Sequence, residues 1–133
     1  MSIDAGTLQP VGLFTGQHVL AELDGVDAEL LDDEQFLRDT LHSALSRSQA
    51  TVCQVIAERF EPQGVTVLAL LSESHASLHT YPEVGSIFID VFTCGNTAQP
   101  ERAVELLAEA LRPGSVNTRT IRRGRDYDPE LVS

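Results

Sequence analysis

The sequence has no lysine. Its nine positive charges are all arginine, set against 20 Asp and Glu, for a formal net charge of −11. Without lysine, no mechanism through an intrinsic lysine amine is open to the chain, pyridoxal-phosphate catalysis through a lysine Schiff base included. The shortage of positive charge argues against a nucleic-acid binder, because phosphate contacts need Lys and Arg, and it suits small cationic partners better. Long apolar runs are missing too. The longest, Val65 to Leu71, includes Thr66 and falls far short of the ~20 residues that cross a bilayer. Met1 to Gln17 has no basic residue and no continuous apolar stretch, so it does not read as a signal peptide. Cysteine is limited to Cys53 and Cys94; in a non-secreted chain the expectation is two reduced thiols and a cytoplasmic protein. What is present is 133 residues, enough for one domain with a real core and too short for two ordinary ones.

Met1 to Gly16 is mixed and Gly-punctuated and reads as a loose arm. The domain is set at 16–125, with 1–15 as arm and 126–133 as flexible tail; polarity predicts fraying from Arg122 on. His18 to Leu23 reads as a first strand, followed by an acidic connector in which Asp32 or Asp33 can cap the next helix. Phe36, Leu37, Leu41, Ala44 and Leu45 recur at helical spacing over Glu34 to Ser48, leaving Arg38, Asp39, His42 and Arg47 on a solvated face. Strands are predicted at Thr51 to Phe60, Val65 to Leu71, Ser86 to Thr93 and Val116 to Ile121, with a turn at Pro62 and Gly64 and an interruption at Tyr81-Pro82-Glu83. Pro100 suits a first helical turn, and Ala103, Val104, Leu106, Leu107, Ala110 and Leu111 form a helix face ending before Pro113. Short turns between neighbouring strands point to an α+β fold: a two-layer sandwich of a mainly antiparallel sheet with two helices on one face.

The chemistry concentrates between Leu71 and Gly95, where a Glu-Ser bond, two histidines, a cysteine and several hydroxyls sit between apolar strands. Polar groups there are costly unless paired or used. Three readings compete on the residues alone. His75, His79 and Cys94 could hold a metal, but the i, i+4 histidine spacing converges on a helix and this stretch looks like strand and turn. Cys94 with His79 or His75 could be a nucleophile and its base. Or the thiol and imidazoles are simply hydrogen-bonded structural groups.

Taken together, Glu73-Ser74-His75, His79-Thr80-Tyr81-Pro82-Glu83 and Asp90-Val91-Phe92-Thr93-Cys94-Gly95 resemble the signature of prokaryotic S-adenosylmethionine decarboxylase proenzymes. Gly16-Gln17-His18 with Ala21-Glu22, and Phe60-Glu61-Pro62-Gln63-Gly64-Val65-Thr66, extend the likeness over about residues 16 to 125. The resemblance implies self-cleavage between Glu73 and Ser74, giving 1–73 and 74–133, with Ser74 converted to a pyruvoyl group. That ketone forms a Schiff base with the substrate amine and takes up electrons as CO₂ leaves, so a lysine-free chain makes its own carbonyl. His79 matches the histidine that assists processing, Cys94 the cysteine that reprotonates the product, and Thr66 a frequent serine that steadies the tetrahedral intermediate. Phe60, Tyr81 and Glu83 match positions that hold the nucleoside. Residues five apart on a straight strand face opposite ways, roughly 17 Å apart. Either the chain turns between Ser74 and His79, or His79 serves the Ser74 of a second subunit; the family's homodimer with shared sites supports the second.

Tyr81 stands where tryptophan is more usual, Val67 where glycine is frequent, and Val84 and Ser86 where aromatic residues or His often occur. These departures surround the substrate pocket, so the resemblance leaves arginine or ornithine as alternative substrates to S-adenosylmethionine. A non-catalytic regulatory homologue is the reading from another class. On the favoured reading the product is the aminopropyl donor for spermidine.

Overall fold

The computed structural model describes residues 15–72 and 74–124. Six strands form one antiparallel sheet: β1 (Thr15–Asp24), β2 (Val52–Arg59), β3 (Val65–Leu71), β4 (Ser74–Tyr81), β5 (Ser86–Cys94) and β6 (Ser115–Gly124), in the order β2-β3-β4-β5-β1-β6. Helices α1 (Ala28–Leu31), α2 (Glu34–Arg47) and α3 (Pro100–Leu111) accompany it, the two long ones packed on one face. The expected α+β two-layer sandwich is what forms.

Alternation within the strands builds the core. Val19, Ala21 and Leu23 of β1, Val65, Val67, Ala69 and Leu71 of β3, Ala76 and Leu78 of β4, and Ile87, Ile89 and Val91 of β5 are buried toward the helices. They meet Leu37, Leu41, Ala44 and Leu45 of α2 and Ala103, Val104, Leu107 and Leu111 of α3. Asp33, rather than Asp32, caps α2 by accepting from the Phe36 amide at 3.0 Å. Asp32 instead accepts from Arg59 at 2.7 Å and from the Gly64 amide at 2.9 Å, tying the β2–β3 turn to the helical layer.

Among the described residues, nothing covers the other face of the sheet, here called the open face. It presents rows of directly opposed residues: Thr66, His79, Phe88 and Glu22; then Leu68, Ser77, Asp90 and Leu20; then Leu70, His75, Phe92 and His18. Leu68 and Leu70 are about half exposed here, at 48% and 55%, with Ile56 and Phe88 beside them. Among the described residues, no helix is long and apolar enough to cross a membrane.

Several expectations need correction. Thr15 and Gly16 belong to β1 rather than to the arm. A Cβ on Gly16 would lie 2.5 Å from the Thr93 carbonyl oxygen and 2.9 Å from the Phe92 ring, so glycine is what lets β1 pass there. Arg122 and Arg123 are not a frayed tail: β6 runs to Gly124, paired with Thr15. Ser74 to Tyr81 is a central strand, and the acidic connector contains the one-turn α1. The proposed tail at 126–133 and most of the arm lie outside the described residues.

Candidate active site

Ser74 is the first residue of β4 and is partly buried. Its hydroxyl donates to the Ser72 carbonyl at 3.3 Å, which turns Oγ toward the preceding chain. Glu73 lies outside the described residues. Ser74 and Cys94 line one cavity of about 290 Å³ at the end of β4 and β5, with Ser72, Thr93 and Thr51 around it. Cys53 and Cys94 are both free thiols.

His79 sits five residues along the same strand on the opposite face, so the chain does not turn between it and Ser74. Its Nδ1 lies 3.1 Å from the Thr66 hydroxyl across the β3–β4 pair. It lines a second cavity of about 460 Å³ on the open face, with Glu22, Phe88, Asp90 and Arg119. Tyr81 ends β4 against Phe88, ring centroids 5.1 Å apart. Glu83 is exposed on the short turn Pro82–Val84, and Phe60, 49% exposed, starts the β2–β3 turn. One chain therefore pairs Ser74 with Cys94 and Thr66 with His79, and keeps the two pairs apart.

The metal set suggested by spacing does not assemble. Among the described residues, the donor atoms that converge within 4.8 Å belong to His18, His75 and Asp90, without His79 or Cys94. Asp90 is a hub: its carboxylate accepts from Ser77, lies 2.7 Å from His18 Nε2 and lies 3.2 Å from His75 Nε2. Partial burial pushes the Asp90 carboxyl up, but the Ser77 and His18 hydrogen bonds and the charge of the two histidines outweigh it and hold it below the usual carboxylate value. In the sequence, His18 and Asp90 fall in separate motif blocks with nothing to link them. They are 72 positions apart, and only the β1–β5 register brings them together.

The S-adenosylmethionine decarboxylase family model matches residues 17–124. The chain belongs to this family. It is 52% identical over 97 residues to the S-adenosylmethionine decarboxylase proenzyme of Synechococcus sp. (strain WH7803), covering 73% of this chain and 76% of that one. It is 46% identical over 109 residues to S-adenosylmethionine decarboxylase proenzyme 2 of Bacillus anthracis, covering 82% and 89%. The crystal structure of the adenosylmethionine decarboxylase from Aquifex aeolicus superposes with a TM-score of 0.79 at 34% identity, over 84% of this chain and 92% of that one. A Trypanosoma brucei AdoMetDC monomer shares the fold alone, at 13% identity and a TM-score of 0.57, over 77% of this chain and 44% of the larger one.

Proposed function

We propose that the protein is a self-processing, pyruvoyl-dependent decarboxylase that converts S-adenosylmethionine to its decarboxylated aminopropyl donor. The observation that carries this is the shared cavity of Ser74 and Cys94, in a member of the S-adenosylmethionine decarboxylase family. The relatives described above carry that name, and nothing here favours arginine or ornithine as substrate.

Cleavage falls between Glu73 and Ser74. The Ser74 oxygen attacks the carbonyl carbon of residue 73 and the amide becomes an ester, with the Thr66 hydroxyl steadying the tetrahedral centre. The His79 imidazole takes the Cα proton of residue 74, and the bond from Cβ to the departing carboxylate breaks. The resulting dehydroalanine takes up water and releases ammonia, which leaves a pyruvoyl group on residue 74. The fit is chemical and spatial: the Ser74 hydroxyl sits at a strand end beside an open cavity, in a chain with no lysine to anchor an alternative carbonyl cofactor. When formed, that ketone supplies the electron sink for decarboxylation. The Cys94 thiol, on the same cavity, delivers a proton to the product Cα. Phe60, Tyr81 and Glu83 hold the nucleoside by stacking and by hydrogen bonds to the ribose.

The working site is shared between two chains. Ser74 and His79 lie five residues apart on one strand, on opposite faces and about 17 Å apart. The open face leaves Ile56, Leu68, Leu70 and Phe88 between 43% and 55% exposed, and contiguous apolar surface of this kind marks an interface. A second copy of the chain covers that face and extends to the start of β4, where Ser74 lies at the strand end in the cavity it shares with Cys94, and there offers its Thr66 and His79 to Ser74. CO₂ release from S-adenosylmethionine, arginine and ornithine in parallel tests the substrate. Turnover of S-adenosylmethionine alone is expected; none with that substrate would sink the proposal.

A further inference from the structure

We propose that Arg123, His18 and Asp90 form a positioning relay that anchors His75, and through it holds residue 74 in register once cleavage has made that residue a chain terminus. The inference rests on the cleavage described above and adds a role for four residues outside it.

The relay has a direction. An arginine N–H can only donate, so Arg123 Nη1, 3.1 Å from His18 Nδ1, makes that nitrogen an acceptor. The proton of neutral His18 then sits on Nε2 and is donated to Asp90 at 2.7 Å. This tautomer leaves Nε2 occupied, which is the wrong arrangement for a metal ligand and the right one for a carboxylate clamp. Asp90 spends its remaining capacity on Ser77 and on His75 Nε2. Phe92 floors the cluster: its ring centroid lies 5.4 Å from that of His18 and 5.8 Å from that of His75, with the Arg123 guanidinium 4.7 Å away. Gly16 leaves the space the Phe92 ring occupies.

Four strands thus converge on the side chain that follows Ser74. Before cleavage, residue 74 is held by the chain on both sides. Afterwards it ends β4, and chain ends fray unless they are tied down. Within one chain the His75 side chain is 49% exposed, so that chain's own core does not fix it, and the Asp90 contact is what ties it to β5. Loss of that contact lets residue 74 drift from Cys94 without unfolding the sheet.

The test compares wild type, His75→Ala, His75→Gln and Ser77→Ala. It measures cleavage half-time by intact mass, kcat and KM for S-adenosylmethionine on the cleaved fraction, and thermal midpoints. Ser77 binds the same carboxylate but does not adjoin Ser74, so it reports the purely structural cost. For cleaved His75→Ala, kcat is expected to fall about tenfold or more with KM nearly unchanged, because misplacing a reacting group by an ångström costs up to about a hundredfold. Ser77→Ala should keep kcat within about twofold, and His75→Gln, whose amide N–H can still reach Asp90, should recover most of the loss. Wild-type kcat in cleaved His75→Ala, or an equal fall in Ser77→Ala, would overturn the relay alone. A wild type that neither cleaves nor turns over S-adenosylmethionine would overturn the proposed function and the relay together.

Discussion

Mixing two inactive variants is expected to restore cleavage. Ser74→Ala removes the attacking hydroxyl and His79→Ala removes the proton acceptor, so neither variant cleaves alone. β4 carries both residues, five positions apart at ~3.4 Å per residue, and its alternation sends their side chains to opposite faces. A gap of about 17 Å is several times hydrogen-bond reach, and on the proposed function the partner's His79 acts on each Ser74. In a two-fold dimer of one chain of each kind, one site then carries both defects and the other carries none. Random pairing of equal amounts makes about half the dimers mixed, so about half of the His79→Ala chains, or a quarter of all chains, become cleavable. Co-expression with different tags and intact-mass measurement reads this directly. No cleavage in the mixture, under conditions where wild type cleaves, would refute the shared site. Cleavage of His79→Ala by itself would remove His79 from processing.

Cys94→Ala should cleave normally yet turn over poorly or inactivate during turnover; unchanged steady-state kinetics would take Cys94 out of the mechanism. Gly16→Ala should cost about 1–3 kcal/mol in chemical denaturation, the usual penalty for overpacking, because its Cβ would meet backbone and the Phe92 ring. A loss under about 0.5 kcal/mol would show that β1 shifts freely there. The lowered Asp90 carboxyl binds a proton less readily folded than unfolded, so its stabilisation is full above the ordinary carboxylate pKa and lost as pH falls through the lower folded value. The thermal-midpoint gap between wild type and Asp90→Asn should therefore be steady near neutrality and close below about pH 4. A gap that persists well below that pH would contradict the depressed carboxyl.

The parts of the fold with strong apolar periodicity were legible in the sequence. Leu37, Leu41, Ala44 and Leu45 repeat at helical spacing, and Val65 to Leu71 is apolar throughout, so α2 and β3 fell within a residue or so of their true limits. β4 was harder. Its buried side is Ala76, Leu78 and Thr80, and its open side is His75, Ser77, His79 and Tyr81, so small and polar residues blur the alternation of a central strand. β6 is exposed along its whole length and owes its last residues to backbone pairing with β1, which no propensity scale registers. The site divides the same way. Ser74, His79, Thr66 and Cys94 stood out through motif blocks that resemble a family. The His18–Asp90–His75 cluster needed the register of β1, β4 and β5, because it is built from residues 15 to 72 positions apart.

The central claim is that this chain cuts itself before Ser74 to make its own carbonyl, and the intact mass of freshly purified wild-type protein tests it most directly. Two chains are expected, 1–73 and 74–133, with the second lighter by one ammonia than a chain beginning with serine. A single unbroken chain that retains Ser74 would contradict it.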